Sequence, residues 1–530
     1  MKVKIKPWLK GQSIFSYVKE HIDKKGFFTP AQLPDKAIAS TDSILSLELG
    51  AADAFLASSD ALGNEDLGSI ISGALSAYSK FPSEENSVAL YYAISSAPCI
   101  LYQEDLMDLL EKEAPCAALG KLSTEWLYTS PHREAVKFAI MVTSMLITTK
   151  QTMREGLKLK RDLLLLGRCE EFTSYVLYAL RNENMLSPRE IRTLMMHTTG
   201  WGKVSAMEEY EFSDPKDIKW LLSHGSELTV SYPPIALLIC KEGHILEALS
   251  HGPVTTDMYL GILAALNNYL IFLLHYYSED NEELKDDLPV MDLFTTLQEV
   301  LKLGDSFATQ LEALAGFINL AEYLTALADN HLWQQLTSNQ CHLLISAAEK
   351  LIFQKNWPSI IKRKLISPQG ALNSLAASLA LALQVDVHNK LLKHVTSHPA
   401  QTEIYFFLLQ TDSEKEFQNI LALVQKHLKE YLLTEDALKP ILTALTKNPG
   451  DGEGIVIASL TSIYDGTRAY ALSVLENWPP QKISSEIRLA LLKAKAMCQH
   501  PLLGVRIDLL LNSQGKDFSG IMELVLDAKD

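Results

Sequence analysis

The sequence predicts an all-α protein, a HEAT-like or armadillo-like stack of antiparallel helix pairs (an α-solenoid). Three observations carry that reading: apolar residues recur at helical spacing, turn formers are scarce, and short polar loops separate successive helices. The chain holds 25 Gly and 21 Pro in 530 residues, below the roughly 12% of an average protein. Sandwiches and barrels need more turns than that.

The clearest helix is Glu171–Arg181, where Phe172, Tyr175, Val176, Ala179 and Leu180 fall on one face. Two further helices declare their starts. In Ser187-Pro188-Arg189-Glu190 the serine caps, the proline fits the first turn and the glutamate bonds back. Asp214-Pro215-Lys216-Asp217 repeats that arrangement, with Ile218, Leu221 and Leu222 behind it. Ser130-Pro131 is read as the start of another helix, and the pattern continues through Phe417–Leu432, Thr467–Glu476 and Ile487–Met497. Laid over one another, these helices show a loose repeat of a basic residue before two core-sized positions: Lys137 with Ile140-Met141, Lys203 with Ala206-Met207, Arg468 with Ala471-Leu472, Arg506 with Leu509-Leu510. In a stacked hairpin such a basic residue lies at the ridge between repeats.

Boundaries are expected at 1–150 (an N-terminal helical region), 151–277 (a helical-repeat segment) and 278–530 (C-terminal helical repeats). The acidic run Ser278–Asp287 reads as a solvated loop, as do Asn448–Gly454 and Phe81–Asn86. Lys2–Lys6 alternates Lys with Val3 and Ile5, the pattern of a short extended N-terminal arm.

Net charge is −16, which removes the bulk footprint of a nucleic-acid or anionic-membrane binder while leaving room for a basic local patch. The six cysteines are scattered with no C-x-x-C, so buried thiols are expected and a disulfide framework is not. Ala135–Ile147 and Tyr269–Tyr277 fall short of the roughly 18 residues of a spanning helix. No apolar run follows the basic N-terminus as in a secretory signal. A cytoplasmic protein without a membrane span is expected.

No catalytic constellation is legible. Gly452-Glu453-Gly454 lacks the third glycine and preceding strand of a dinucleotide fingerprint, and neither a Walker sequence nor Gly-x-Ser-x-Gly occurs. His394 and His398 at i, i+4 have no adjacent Glu, and Pro399 ends the helix; His21-x-Asp23, Cys341-His342 and Cys498-Gln499-His500 lack neighbouring ligands, so no metal is assigned. Gly167-Arg168-Cys169 reads as a helix C-cap glycine beside a buried thiol rather than a haem-thiolate loop.

Several blocks carry a family resemblance: Trp8–Ser13, Leu33-Pro34-Asp35, Leu165-Leu166-Gly167 with Glu171-Phe172-Thr173 and Tyr175, Gly200-Trp201-Gly202-Lys203 with Ala206 and Glu208, and Asp217–Leu222. In that order, over roughly the first half of the chain, they resemble bacterial helical-repeat proteins that carry the name limonene hydroxylase. The resemblance implies oxidation of the monoterpene limonene at an allylic carbon to carveol or perillyl alcohol, and dehydrogenation of those alcohols with a nicotinamide cofactor. It carries no catalytic residue over, and where the family's Trp-Gly block is expected to hold a His this chain has Ser205. Allylic oxygen insertion requires haem, flavin or non-haem iron, and no cofactor signature is evident. A helical stack instead offers an extended concave surface to a protein or peptide. A non-enzymatic scaffold is therefore the favoured reading, with an NAD(P)H-dependent limonene monooxygenase as the alternative. Under either, Gly200, Trp201, Gly202 and Lys203 are the candidate binding residues, Trp201 anchoring a partner or lining an apolar pocket.

Overall fold

A computed structural model describes residues 6–30, 32–35, 48–57, 65–112, 116–147, 153–182, 184–276, 288–289, 291–329, 336–410, 413–430, 432–433, 438–498 and 501–512. Among the described residues there are twenty-eight α-helices and no strand; the only β pairing is two isolated bridges, Ile22 with Phe28 and Ile366 with Leu372. The expected arm Lys2–Lys6 lies outside them except for Lys6, and the run Ser278–Asp287 lies wholly outside. The chain divides into two compact units, Met1–Leu303 with Asn319–Ile345, and Gly304–Ile318 with Ser346–Asp530.

In the first unit the core begins with fully buried Trp8, whose ring meets Tyr91 at 5.5 Å and Trp126 at 5.6 Å. Its indole N–H donates to Glu125 at 2.9 Å, so the polar edge of a large apolar side chain is satisfied. Beside it runs Arg133–Ser144, in which every residue from Ala135 to Ser144 is buried, Lys137 included. This helix is not opened by Ser130-Pro131. His132 is the cap, its Nδ1 facing the Glu134 N–H at 3.3 Å, and Ser130 closes the preceding helix Ala117–Thr129. Ser130 serves the core instead, with its hydroxyl 3.0 Å from that of Tyr91.

The other caps follow the sequence. Ser187 and Glu190 form the reciprocal capping box of Pro188–His197, and Asp214 accepts from the Lys216 N–H ahead of Pro215–His224. The expected Glu171–Arg181 helix runs Glu170–Asn182. The apolar stretch seen at Tyr269–Tyr277 is the end of a longer helix, Thr256–Tyr276. That helix and Leu311–Asp329 are long and apolar enough to cross a membrane by length and composition alone. Thr256–Tyr276 packs on Pro215–His224 and Ile235–Glu242, and two-thirds of its apolar window is buried in the protein, the behaviour of a core helix. Gly261 makes that approach possible, since a Cβ there would stand 2.1 Å from the Leu222 carbonyl oxygen.

From Glu403 to Asn512 the second unit packs by alternation. Glu403–Leu408, Lys439–Leu445, Asp465–Glu476 and Pro501–Asn512 each contact the next, forming one layer. Glu414–Lys429, Glu453–Leu460 and Ser485–Met497 do the same in a second layer, and hairpin neighbours join the two. Three of these agree with the sequence reading within a turn: Phe417–Leu432, Thr467–Glu476 and Ile487–Met497 were expected. Trp478 ties successive members of the first layer by donating its indole N–H to the Leu445 carbonyl at 3.2 Å.

Candidate functional site

The Gly200–Lys203 turn opens the helix Gly200–Glu208, and its two glycines serve close packing. Gly200 has φ +47°, and a Cβ there would lie 2.1 Å from a carboxylate oxygen of Glu170. A Cβ on Gly202 would stand 2.5 Å from the Thr173 hydroxyl, so the Gly200 helix can lie directly on Glu170–Asn182 only with glycine at this position. Glu170 accepts a hydrogen bond from the Thr199 hydroxyl at the head of this turn. Its burial raises its pKa, an effect that the hydroxyl partly offsets.

Lys203 is buried, 6% exposed. Its ammonium donates to the carbonyls of His224 at 2.6 Å and Glu227 at 3.0 Å, and stands 5.2 Å from the Trp220 ring centre. A cation at the last carbonyls of Pro215–His224 satisfies groups that a helix end leaves open. Burial lowers the Lys203 pKa to about 8, a shift that the nearby Glu227 carboxylate opposes. Of the four sequence candidates, Gly200, Gly202 and Lys203 are thus internal. Trp201 is half-buried, with its ring 5.2 Å from Tyr232 in an edge-on contact.

One residue along, Glu171 belongs to a second constellation that the sequence does not announce. Lys137, 1% exposed, donates to Asp53 at 2.7 Å, Glu171 at 2.8 Å and Glu134 at 3.0 Å. Arg133 forks onto Asp35 at 2.8 and 2.9 Å and reaches Glu171 at 3.2 Å. Glu171 also accepts the Gly50 N–H at 2.9 Å, and Glu134 accepts the Cys99 N–H at 2.7 Å.

Four carboxylates thus share two cations. Burial raises the Asp53 pKa to about 6 against the opposing charge of Lys137, with smaller additions from the like charges of Glu134 and Glu171. Burial opposes ionisation of Glu171 too, yet Lys137 and Arg133 together hold its pKa below the usual value. The same burial disfavours the Lys137 ammonium, but Glu134, Glu171 and Asp53 overcome it and hold its pKa well above the ordinary value. The buried Tyr175 hydroxyl has no hydrogen-bond partner, and its ring centre lies 5.2 Å from the Lys137 ammonium. Chemically this is a set of ties: it clamps Asp35, Gly50 and Asp53 onto the helices Arg133–Ser144 and Glu170–Asn182.

The other two repeat positions are also internal ties. Arg468, 3% exposed, donates to the Ser462 carbonyl and to Asp465. Arg506 forks onto Glu476 at 2.7 Å through both nitrogens and reaches the Ser473 hydroxyl at 2.9 Å.

The metal candidates separate. His394 and His398 stack at 4.4 Å, but His394 Nε2 meets the Gly370 carbonyl at 2.8 Å, and His21 Nδ1 meets its own helix at Tyr17. Asp23 caps the Lys25 and Phe27 N–H groups. Among the described residues no three His, Cys, Asp or Glu side chains are arranged to hold a metal ion, and all six cysteines are free thiols. Gly167 follows Met153–Leu166 with its N–H on the Leu163 carbonyl at 2.9 Å, and Cys169 is buried behind it.

The Gly200–Lys203 turn does not fit the dinucleotide that the sequence resemblance implies. Gly200 and Gly202 face another helix and Lys203 faces carbonyls, while Gly452-Glu453-Gly454 opens the short helix Glu453–Leu460 after a turn. What the geometry defines is an all-helical protein whose most conspicuous polar side chains bond to the protein itself. Comparison with protein-family models, with curated proteins and with solved structures returns no match.

Proposed function

We infer that the protein is a helical-repeat scaffold of the HEAT or armadillo kind, offering stacked helix pairs to a protein or peptide partner. The observation that carries this reading is the alternating packing from Glu403 to Asn512 in the second unit, where each helix contacts the next-but-one and three hairpin pairs join the two rows. Lys137, Lys203, Arg468 and Arg506 support it as well, because each is directed at the protein's own carboxylates or carbonyls rather than at an open cleft. The test is to incubate the purified full chain with limonene, dioxygen and NADH, alongside metal and flavin analysis. No carveol or perillyl alcohol is expected. Product formed in proportion to bound iron or flavin would replace the scaffold with the monoterpene monooxygenase.

A further inference from the structure

The acidic chain carries one strongly basic region. Between Lys350 and Thr402 stand seven Lys or Arg and a single acid, Asp386, although the whole sequence has 48 basic and 64 acidic residues. The helix Trp357–Lys364 ends in Lys362, Arg363 and Lys364, and the helix His388–Ser397 sets Lys390 and Lys393 one turn apart. The two are joined, because the Lys390 ammonium bonds the Lys362 carbonyl. His394 in turn bonds the Gly370 carbonyl in the turn between them. Lys362, Arg363, Lys390 and Lys393 are exposed.

Three acids of this unit are engaged elsewhere. Asp386 accepts the His388 N–H at 3.2 Å, Glu403 lies 3.4 Å from the Ser374 hydroxyl, and Asp305 accepts from Gln354 at 2.7 Å. Among the described residues none of these basic side chains has an ion-pair partner. Complementing the helix dipole accounts for a cation in the last turn of Trp357–Lys364. It does not account for Lys393, in the middle of its own helix.

An open groove of about 370 Å³ lies at the other end of Trp357–Lys364. Trp357, Pro358, Leu383 and Val385 line it, with Lys355 on the rim and Phe353 left 73% exposed. An eight-residue helix is about 12 Å long, so the apolar slot lies within about 12 Å of the basic end of Trp357–Lys364.

We propose that this face docks an acidic polypeptide segment carrying one large apolar side chain: the side chain enters the Phe353 groove and the carboxylates meet Arg363, Lys390 and Lys393. The inference rests on the scaffold reading and names its partner chemistry. Charge complementarity selects an acidic occupant. The patch is short and belongs to a chain of net charge −16, which repels a long polyanion such as RNA beyond the few phosphates the patch neutralises.

The probe is a fluorescein-labelled peptide with one Trp, a three-residue Gly-Ser spacer and alternating Asp and Glu, titrated with the full-length protein by anisotropy. Saturable binding is expected, weakened about tenfold or more by Arg363→Glu or Lys393→Glu and by raising salt from about 0.05 to about 0.3 M. Phe353→Ala should weaken the Trp peptide about three- to tenfold and leave a Trp→Gly peptide unchanged. Arg363→Gln and Lys393→Gln, checked for native circular dichroism, keep the test valid if a charge reversal disturbs folding. No binding, binding indifferent to these substitutions, or tighter binding of single-stranded RNA or phosphatidylserine vesicles would overturn the proposal. Those results leave the scaffold reading standing, because it is tested separately with limonene.

Discussion

In the first unit the Lys137 ammonium reaches Asp53, 84 residues earlier, and Arg133 reaches Asp35, 98 residues earlier. In the second, Arg468 holds the Ser462 carbonyl and Asp465, six and three residues away, and Arg506 reaches back 30 residues to Glu476. The same sequence device, a basic residue near a helix start, therefore does two jobs. At Lys137 it closes long stretches of chain around a buried polar centre, and the loop entropy must be overcome before the contact forms, whereas Lys203 of the same unit reaches only 21 and 24 residues ahead. In the second it joins elements that are neighbours already, as nearest-neighbour stacking requires.

The largest expected effect tests that contrast directly. Lys137→Met leaves Asp53, Glu134 and Glu171 buried around an apolar side chain and should cost about 3–5 kcal/mol in urea unfolding followed by near-ultraviolet circular dichroism. Arg506→Met, at a partly exposed pair, should cost about 1 kcal/mol or less. Equal losses would erase the distinction.

Glycines sharpen the comparison. Gly261→Ala drives a Cβ against the Leu222 carbonyl and should destabilise by about 1–3 kcal/mol. Gly466 and Gly504, inside helices of the second unit, have nothing within 4 Å of the added atom. Alanine at either should be neutral or stabilise by up to about 1 kcal/mol in the same unfolding assay.

The pH response isolates Asp53. Its folded pKa is raised from 3.8 to about 6, so its contribution is fully present below 3.8 and is lost as pH rises through about 6. Glu171, held below its usual 4.5, runs the other way and loses its contribution as pH falls. Asp53→Asn removes the first response and keeps the second. Between about pH 5 and pH 8 the wild type should lose about 1 kcal/mol relative to the variant, read from paired denaturation midpoints. A constant difference across that window would place the Asp53 proton elsewhere.

Helix starts were legible because their chemistry is local. Ser187 and Glu190 stand three residues apart and Asp214 immediately precedes Pro215, so capping can be read from spacing. At Ser130-Pro131 the same logic fails, since Ser130 is drawn into the Tyr91 core contact and His132 takes over the cap. The Gly200–Lys203 block stands out in the sequence, but as a prospective binding turn. Its role as a packing joint depends on Glu170, Thr173 and the His224 carbonyl, which no local pattern ties to it. The ionic centre is not legible in the sequence because Asp35, Asp53, Lys137 and Glu171 come from four separate segments. One signal was available: Lys137 is the lone charge in the apolar run Ala135–Ile147, and a charge so placed needs partners.

Trp8 and Trp126, 5.6 Å apart and inclined at 64°, have a spectroscopic consequence. Two indoles held that close and skewed act as coupled transition dipoles and give a paired ellipticity signal that neither gives alone. Replacing either ring with Phe would extinguish it. The chain thus contains its own optical gauge of whether the segment around Trp8 is seated.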